Sequence, residues 1–228
     1  MTRYAVYALP GALGAADDPA AVRLRAAVED WYARPELRAL TVDARRYGFH
    51  GTLKAPFRLA EGRTEAELRR AADAFAARRA AVPIRAPRPT AIGGFRALLP
   101  GDGAADQAEL DALAADAVRA FDEFRAPLDA PERRRRRPET LTPRQRELFE
   151  RWGYPYVLDE FRFHLTLTDR LPADRAAEVD EALTAHFAPV AGVDVTLRSL
   201  TLFREPEPGA PFEIHSVHPF AAAQESTP

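Results

Sequence analysis

Two stretches decide how this chain is read: Tyr47-Gly48-Phe49-His50-Gly51-Thr52-Leu53-Lys54 and Phe161-Arg162-Phe163-His164-Leu165-Thr166-Leu167-Thr168. Each runs aromatic, His, any residue, Thr, Leu, and they lie half a chain apart. On a strand, alternate residues share a face. His50, Thr52 and Lys54 then form one polar row. Arg162, His164, Thr166 and Thr168 form another. The apolar alternates, Leu53 in the first and Phe161, Phe163, Leu165 and Leu167 in the second, seat each strand on its own half. A pattern repeated at half the chain length points to internal duplication.

Working outward, Tyr4 to Leu9 reads as a strand stopped by Pro10 and Gly11. Asp17-Asp18-Pro19 opens a helix over 20–33. Thr64 with Glu67 has the capping-box spacing for a helix to about Ala81. Ala91 to Leu99 reads as one strand with a glycine bulge or close approach, and 105–124 as an amphipathic helix. Pro131 to Pro138 reads as a charged loop. Thr142-Pro143 starts a helix reaching Trp152, and Ala173 to Phe187 forms another. Glu160 to Thr168, Val193 to Phe203 and Phe212 to Val217 complete the strands. Such interspersion indicates an α/β or α+β layout. We expect one bilobed unit over 1–228, with lobes near 1–100 and 101–220 exchanging a strand, and a flexible tail at 221–228.

Composition removes several classes. The chain has 228 residues, 46% hydrophobic and 29% charged, enough for a full core without staples. It has no cysteine, which excludes disulfides, thiolate metal sites and cysteine nucleophiles. No apolar run approaches the roughly 18 residues of a membrane span. The first residues lack a signal-peptide layout, so a cytoplasmic protein without a membrane partner is expected. Lys+Arg is 32 against Asp+Glu 34, a formal net charge of −2. Proteins that grip long nucleic acids usually carry a basic excess, so a small phosphorylated ligand fits better than RNA. All but one of the basic residues are arginine, the exception being Lys54.

Two facing rows of this kind have the parts for phosphodiester chemistry without a metal. Histidine titrates near neutrality, so one imidazole can take a proton from the attacking water while the other protonates the leaving oxygen. Threonine hydroxyls, with Lys54 and Arg162, can hold the anionic oxygens. His215 and His218 lie at the last strand without metal-ligand spacing. No metal and no cofactor are therefore expected.

The tetrads His50-Gly51-Thr52-Leu53 and His164-Leu165-Thr166-Leu167 resemble the signature of the two-histidine (2H) phosphoesterase superfamily. The longer words Arg46 to Phe57, and Trp152 to Tyr156 with Phe161 to His164, resemble one bacterial branch. That branch, of unknown function, is often encoded beside carbon–phosphorus lyase genes. The resemblance implies an α+β fold with two mainly antiparallel sheets around a V-shaped cleft and helices outside. It implies that His50 and His164 are catalytic and that Thr52 and Thr166 hold the phosphate. It also implies that a cyclic phosphate is opened on a small sugar or nucleotide, with a ribose cyclic phosphate from phosphonate breakdown as one candidate. RNA 2′,3′-cyclic ends and non-catalytic binding of phosphorylated ligands are the alternatives. Lys54, Arg162, Tyr7, Tyr154 and Tyr156 are further candidates for substrate contact. Tyr154 and Tyr156 read equally as a packed turn around Pro155. Arg133 to Arg137 read as a solvated loop, an RNA-backbone contact or a flap over a second phosphate. A monomer is expected.

Overall fold

The computed structural model describes residues 1–101 and 104–221, with side chains described outside 102–106; most of the expected tail, 222–228, lies outside the described residues. Among the described residues, nine strands form: β1 Arg3–Ala8, β2 Gly51–Phe57, β3 Val82–Ile84, β4 Arg88–Ile92, β5 Phe95–Leu99, β6 Leu165–Thr166, β7 Val195–Leu197, β8 Ser199–Glu205 and β9 Glu213–Pro219. Seven α-helices accompany them among the described residues: α1 Pro19–Ala33, α2 Val42–Tyr47, α3 Glu65–Ala76, α4 Ala104–Ala120, α5 Ala130–Arg135, α6 Pro143–Trp152 and α7 Ala176–Phe187.

The fold is α+β. A seven-stranded antiparallel sheet has the order β4-β5-β6-β2-β1-β8-β9, and β3 and β7 make a small second sheet. The large sheet has two parts. One is β1, β2, β8 and β9; the other is β4, β5 and β6. They meet through a single pairing, Gly51 with Leu165. Strands β4 and β5, early in the chain, pair with late β6, while late β8 and β9 complete the sheet begun by β1.

Local chemistry explains most boundaries. Thr64 and Glu67 cap α3 reciprocally, and Thr142 with Gln145 does the same for α6. Leu68, Ala72, Phe75 and Ala76 form the buried face of α3, which lies against β8 and β9. Helix α4 buries Leu110, Leu113 and Ala117 against β2 and β3, and Phe121 just after it joins the same core. One continuous core joins these to Trp31, Phe163 and Phe187.

Four readings of the sequence need correcting. Ala91 to Leu99 is not one bulged strand but the hairpin β4–β5, turning at Gly93-Gly94 between the paired Ile92 and Phe95. Gly-Gly meets the positive φ such a turn demands, and Gly93 has φ 54°. Val193 to Phe203 splits at Arg198 into β7 and β8, which belong to different sheets. Residues 131–138 are no loop: α5 forms there, capped by Asp129 and Glu132. The two histidine stretches are strand only in part. Helix α2 fills 42–47, and Gly48 turns the chain with φ 75° and ψ 175°, a region open essentially to glycine. Strand β6 ends at Thr166, where side chains of α1 take the carbonyls of Thr166 and of the next residue, Leu167. Tyr32 Oη donates to Thr166 O at 2.6 Å, and Trp31 Nε1 donates to Leu167 O at 3.0 Å.

Candidate active site

Where β2 meets β6, Gly51 lies opposite Leu165. Continuing that antiparallel register one residue each way sets His50 opposite Thr166 and Thr52 opposite His164. These four side chains alternate with Gly51 and Leu165, so they share one face. Each tetrad therefore supplies a histidine facing the other tetrad's threonine across the seam.

Both imidazoles are held in the same way. His50 Nδ1 donates to the Gly48 carbonyl at 2.9 Å, and His164 Nδ1 donates to the Arg162 carbonyl at 2.9 Å. A carbonyl can only accept, so each Nδ1 carries a proton and each Nε2 is left for proton exchange. His50 Nε2 accepts from the Thr52 hydroxyl at 3.1 Å. Its ring stacks on Tyr7, centroids 3.7 Å apart and planes within 18°. Phe95 flanks His164 at 5.7 Å. Burial lowers His50 to about 4, the Gly48 carbonyl opposes this, and nearby His164 lowers it further. Burial also lowers His164, against its bond to the Arg162 carbonyl and with the Arg162 charge beside it.

The glycine between His50 and Thr52 has a steric cause. A Cβ on Gly51 would stand 2.6 and 2.8 Å from ring atoms of Phe163, the buried residue before His164. The aromatic that precedes the second tetrad thus fills the space above the first. Gly51→Ala should push Phe163 off its seat, costing about 1–3 kcal/mol of stability as overpacking does. It should also lower turnover, because His164 follows Phe163 directly. Urea unfolding and kcat measure both effects, and adding Phe163→Leu should recover most of the stability.

A cavity of about 350 Å³ opens at this seam, lined by Tyr7, Tyr47, His50, Thr52, Tyr154 and Thr166, with Arg136 and Arg170 among its other walls. His164 is not among its lining residues; it stands beside Phe95, which is. The structure brings His50, Thr52, Thr166, Tyr7 and Tyr154 together at this cavity. Tyr7 is buried and serves as the floor under His50. Tyr154 is half-buried, and burial raises its phenol.

Three candidates stand elsewhere. Tyr156 is exposed and touches Tyr154 edge-on at 5.6 Å, outside the lining. Arg162 points outward; among the described residues its side chain has no ion pair, since Asp159 pairs with Arg144 and Glu160 with Gln145. Lys54 does not join the row of His50 and Thr52. Strand β1 explains why: Tyr7 pairs with Thr52 but Val6 pairs with Lys54, so one residue of β1 faces two of β2. This bulge at Leu53 turns Thr52 and Lys54 to opposite faces. Lys54 is 3% exposed, and its Nζ donates to Asp122 Oδ1 at 3.0 Å and Val118 O at 3.1 Å under α4. Burial lowers it to about 8 despite Asp122.

Sequence reasoning also missed Asp169, which binds the two halves here. Its carboxylate accepts from the backbone N–H groups of Asp43 at 3.0 Å and Ala44 at 2.9 Å. This pins α2, and hence Gly48 and His50, to the segment that follows Thr166.

Among solved structures, the chain resembles E. coli LigT complexed with NADP+, at 15% identity over 96% of this chain and 98% of that one, TM-score 0.45. Two curated relatives are similar over much of the chain, both called ribose 1,5-bisphosphate phosphokinase PhnN. The one from Janthinobacterium sp. (strain Marseille) is 45% identical over 83% of this chain and 42% of its own length. The one from Laribacter hongkongensis (strain HLHK9) is 41% identical over 75% and 38%. The chain thus spans about two-fifths of the length of the curated relatives it matches. Residues 52–213 match the family described as "Protein of unknown function (DUF1045)", and the chain belongs to that family.

Proposed function

We propose that the chain is a metal-independent phosphodiesterase that opens a cyclic phosphate on a small sugar or nucleotide. The observation that carries this is the pair of like-tethered imidazoles, each with Nε2 left for proton exchange and each opposite the other tetrad's threonine. His50, which its surroundings favour keeping neutral, takes the proton of the attacking water. The water oxygen bonds to phosphorus, and the bond to one ring oxygen breaks. His164, entering protonated, gives that oxygen its proton. The Thr52 hydroxyl turns from His50 Nε2 to a phosphoryl oxygen, and Thr166 holds another. The product is a phosphate monoester.

A ribose cyclic phosphate is the substrate we favour. The relatives are named for phosphorylating ribose 1,5-bisphosphate. Water added to 5-phosphoribosyl 1,2-cyclic phosphate, with cleavage at the C2 oxygen, yields that compound. The kinase name is a poorer guide to this chain's own chemistry. Its one lysine follows Leu53, so it has no Gly-Lys-Ser/Thr phosphate loop.

The test is turnover in EDTA of ribose cyclic phosphates, nucleoside cyclic phosphates and cyclic-ended RNA, followed across pH. We expect hydrolysis of the ribose compound and a bell-shaped kcat/KM. Protonation of His50 sets the acidic limb near pH 4, and loss of the His164 proton sets the alkaline limb below about 6.5. A bound phosphate anion favours both imidazolium forms, so the limbs of kcat lie at higher pH. No turnover of any cyclic phosphate, with binding intact in His50→Ala, would leave a non-catalytic binder instead.

A further inference from the structure

The cavity at the histidines continues into a larger groove of about 720 Å³. The two share Asp43, Tyr47, Pro56 and Arg136. Five arginines line the groove (Arg3, Arg46, Arg58, Arg135 and Arg136) against the carboxylates of Asp43, Asp129 and Glu132. Three of those arginines are already satisfied. Arg3 pairs with Glu205, Arg46 with Asp43, and Arg58 with Glu132 at 2.8 Å. Among the described residues, Arg136 has no carboxylate partner, and Arg135 acts on Glu132 only through space, with no carboxylate at ion-pair distance.

Arg136 is the joint between the two spaces. It caps α5, whose place is fixed by the pair of Arg58 with Glu132 and by Arg133 on Glu150 of α6. Its guanidinium lies over the Tyr154 ring at 4.8 Å. That contact orients the plane without consuming its N–H donors. A half-buried, oriented and unpaired guanidinium is suited to fork onto phosphate oxygens. The run Arg133 to Arg137 is therefore no uniform solvated face: Arg133 ties α5 to α6, and Arg136 turns inward.

We propose that this groove is a second anion subsite, built on Arg136 with Arg135, that takes a phosphate monoester carried by the same substrate molecule. This deepens the phosphodiesterase reading and rests on it. The substrate class becomes a small sugar bearing a cyclic phosphate at one end, over the histidines, and a monoester at the other. A polynucleotide is disfavoured, because three of the five arginines are already neutralised and the net charge is −2.

The experiment compares kcat/KM for ribose 1,2-cyclic phosphate with and without a 5-phosphate, in wild type, Arg136→Ala and Arg136→Lys. Wild type should prefer the 5-phosphorylated compound by at least about tenfold, the scale of one charge-assisted contact. Arg136→Ala should reduce that ratio by about tenfold, through KM. Arg136→Lys should restore only part of it, since lysine keeps the charge but not the fork. Equal handling of both compounds by wild type, or an unchanged ratio in Arg136→Ala, overturns the subsite while the phosphodiesterase reading stands. If neither compound is hydrolysed, the ribose substrate falls, and calorimetry with ribose 5-phosphate still decides the subsite. Binding lost in Arg136→Ala supports it; equal binding overturns it. Preference for cyclic-ended RNA over the 5-phosphorylated sugar, with a steep salt dependence, overturns the small-sugar occupant.

Discussion

His50→Ala and His164→Ala are each expected to lower kcat on the best cyclic phosphate by at least about a hundredfold, the scale of a positioned general acid or base. The double variant should fall little further, because the two imidazoles act on one proton transfer sequence. Thr52→Ala and Thr166→Ala should be milder and should weaken the binding of inorganic phosphate. The geometry gives the reason for the difference. The histidines are aimed by the carbonyls of Gly48 and Arg162, so removing a ring removes a proton carrier that nothing nearby replaces. Added imidazole should recover part of the activity of His50→Ala, whose stacking place over Tyr7 is left open. Rates in the single variants within about threefold of wild type would dismiss the two-histidine mechanism.

Asp122→Ala is expected to be the most damaging substitution for stability away from the site. It leaves the Lys54 ammonium buried with only the Val118 carbonyl, and breaking a buried pair from one side costs about 3–5 kcal/mol. That is a large share of the roughly 5–15 kcal/mol that holds a domain folded. It also strips Arg125 of its partner, which now donates to Asp122 at 2.8 Å. Lys54→Met should cost much less, about 1 kcal/mol, because Asp122 keeps Arg125 and the methionine fills the slot. Urea midpoints for the two variants measure this asymmetry. The kcat of Lys54→Met should stay close to wild type, since the side chain lies on the opposite face from Thr52. A hundredfold loss of kcat in a fully folded Lys54→Met would return the lysine to the site.

This contrast marks how far the sequence is legible. The paired tetrads stand out because a period of two and an exact repeat of residue types survive folding. The carbonyl tethers on the rings do not: they depend on the turn at Gly48 and the backbone of Arg162. Lys54 misleads because strict alternation was assumed through Leu53, and a bulge is set by the neighbour β1, not by the strand's own residues. The shortness of β6 was hidden for a similar reason. Tyr32, on the carbonyl of Thr166, and Trp31, on that of Leu167 just beyond, come from a helix more than a hundred residues away. Glycine gave mixed guidance. Gly51 leaves room for the Phe163 ring, whereas Gly93-Gly94 marks a hairpin turn and not a bulge. The arginine run shows composition at its least informative, since five identical letters hold a tie to a neighbouring helix, solvated charges and an inward-facing guanidinium.

The placing of β1 between β2 and β8 has a consequence for how the chain is made. Its partner on one side, Thr52, is synthesised soon after Tyr7, but its partner on the other, Thr201, lies far later in the chain. At a ribosomal pace of roughly 5–20 residues per second, that edge of β1 stays open for roughly 10–40 s. Tyr7, the floor under His50, belongs to this waiting strand. The His50 ring therefore gains the full support of Tyr7 only once β8 has been made and has closed on β1.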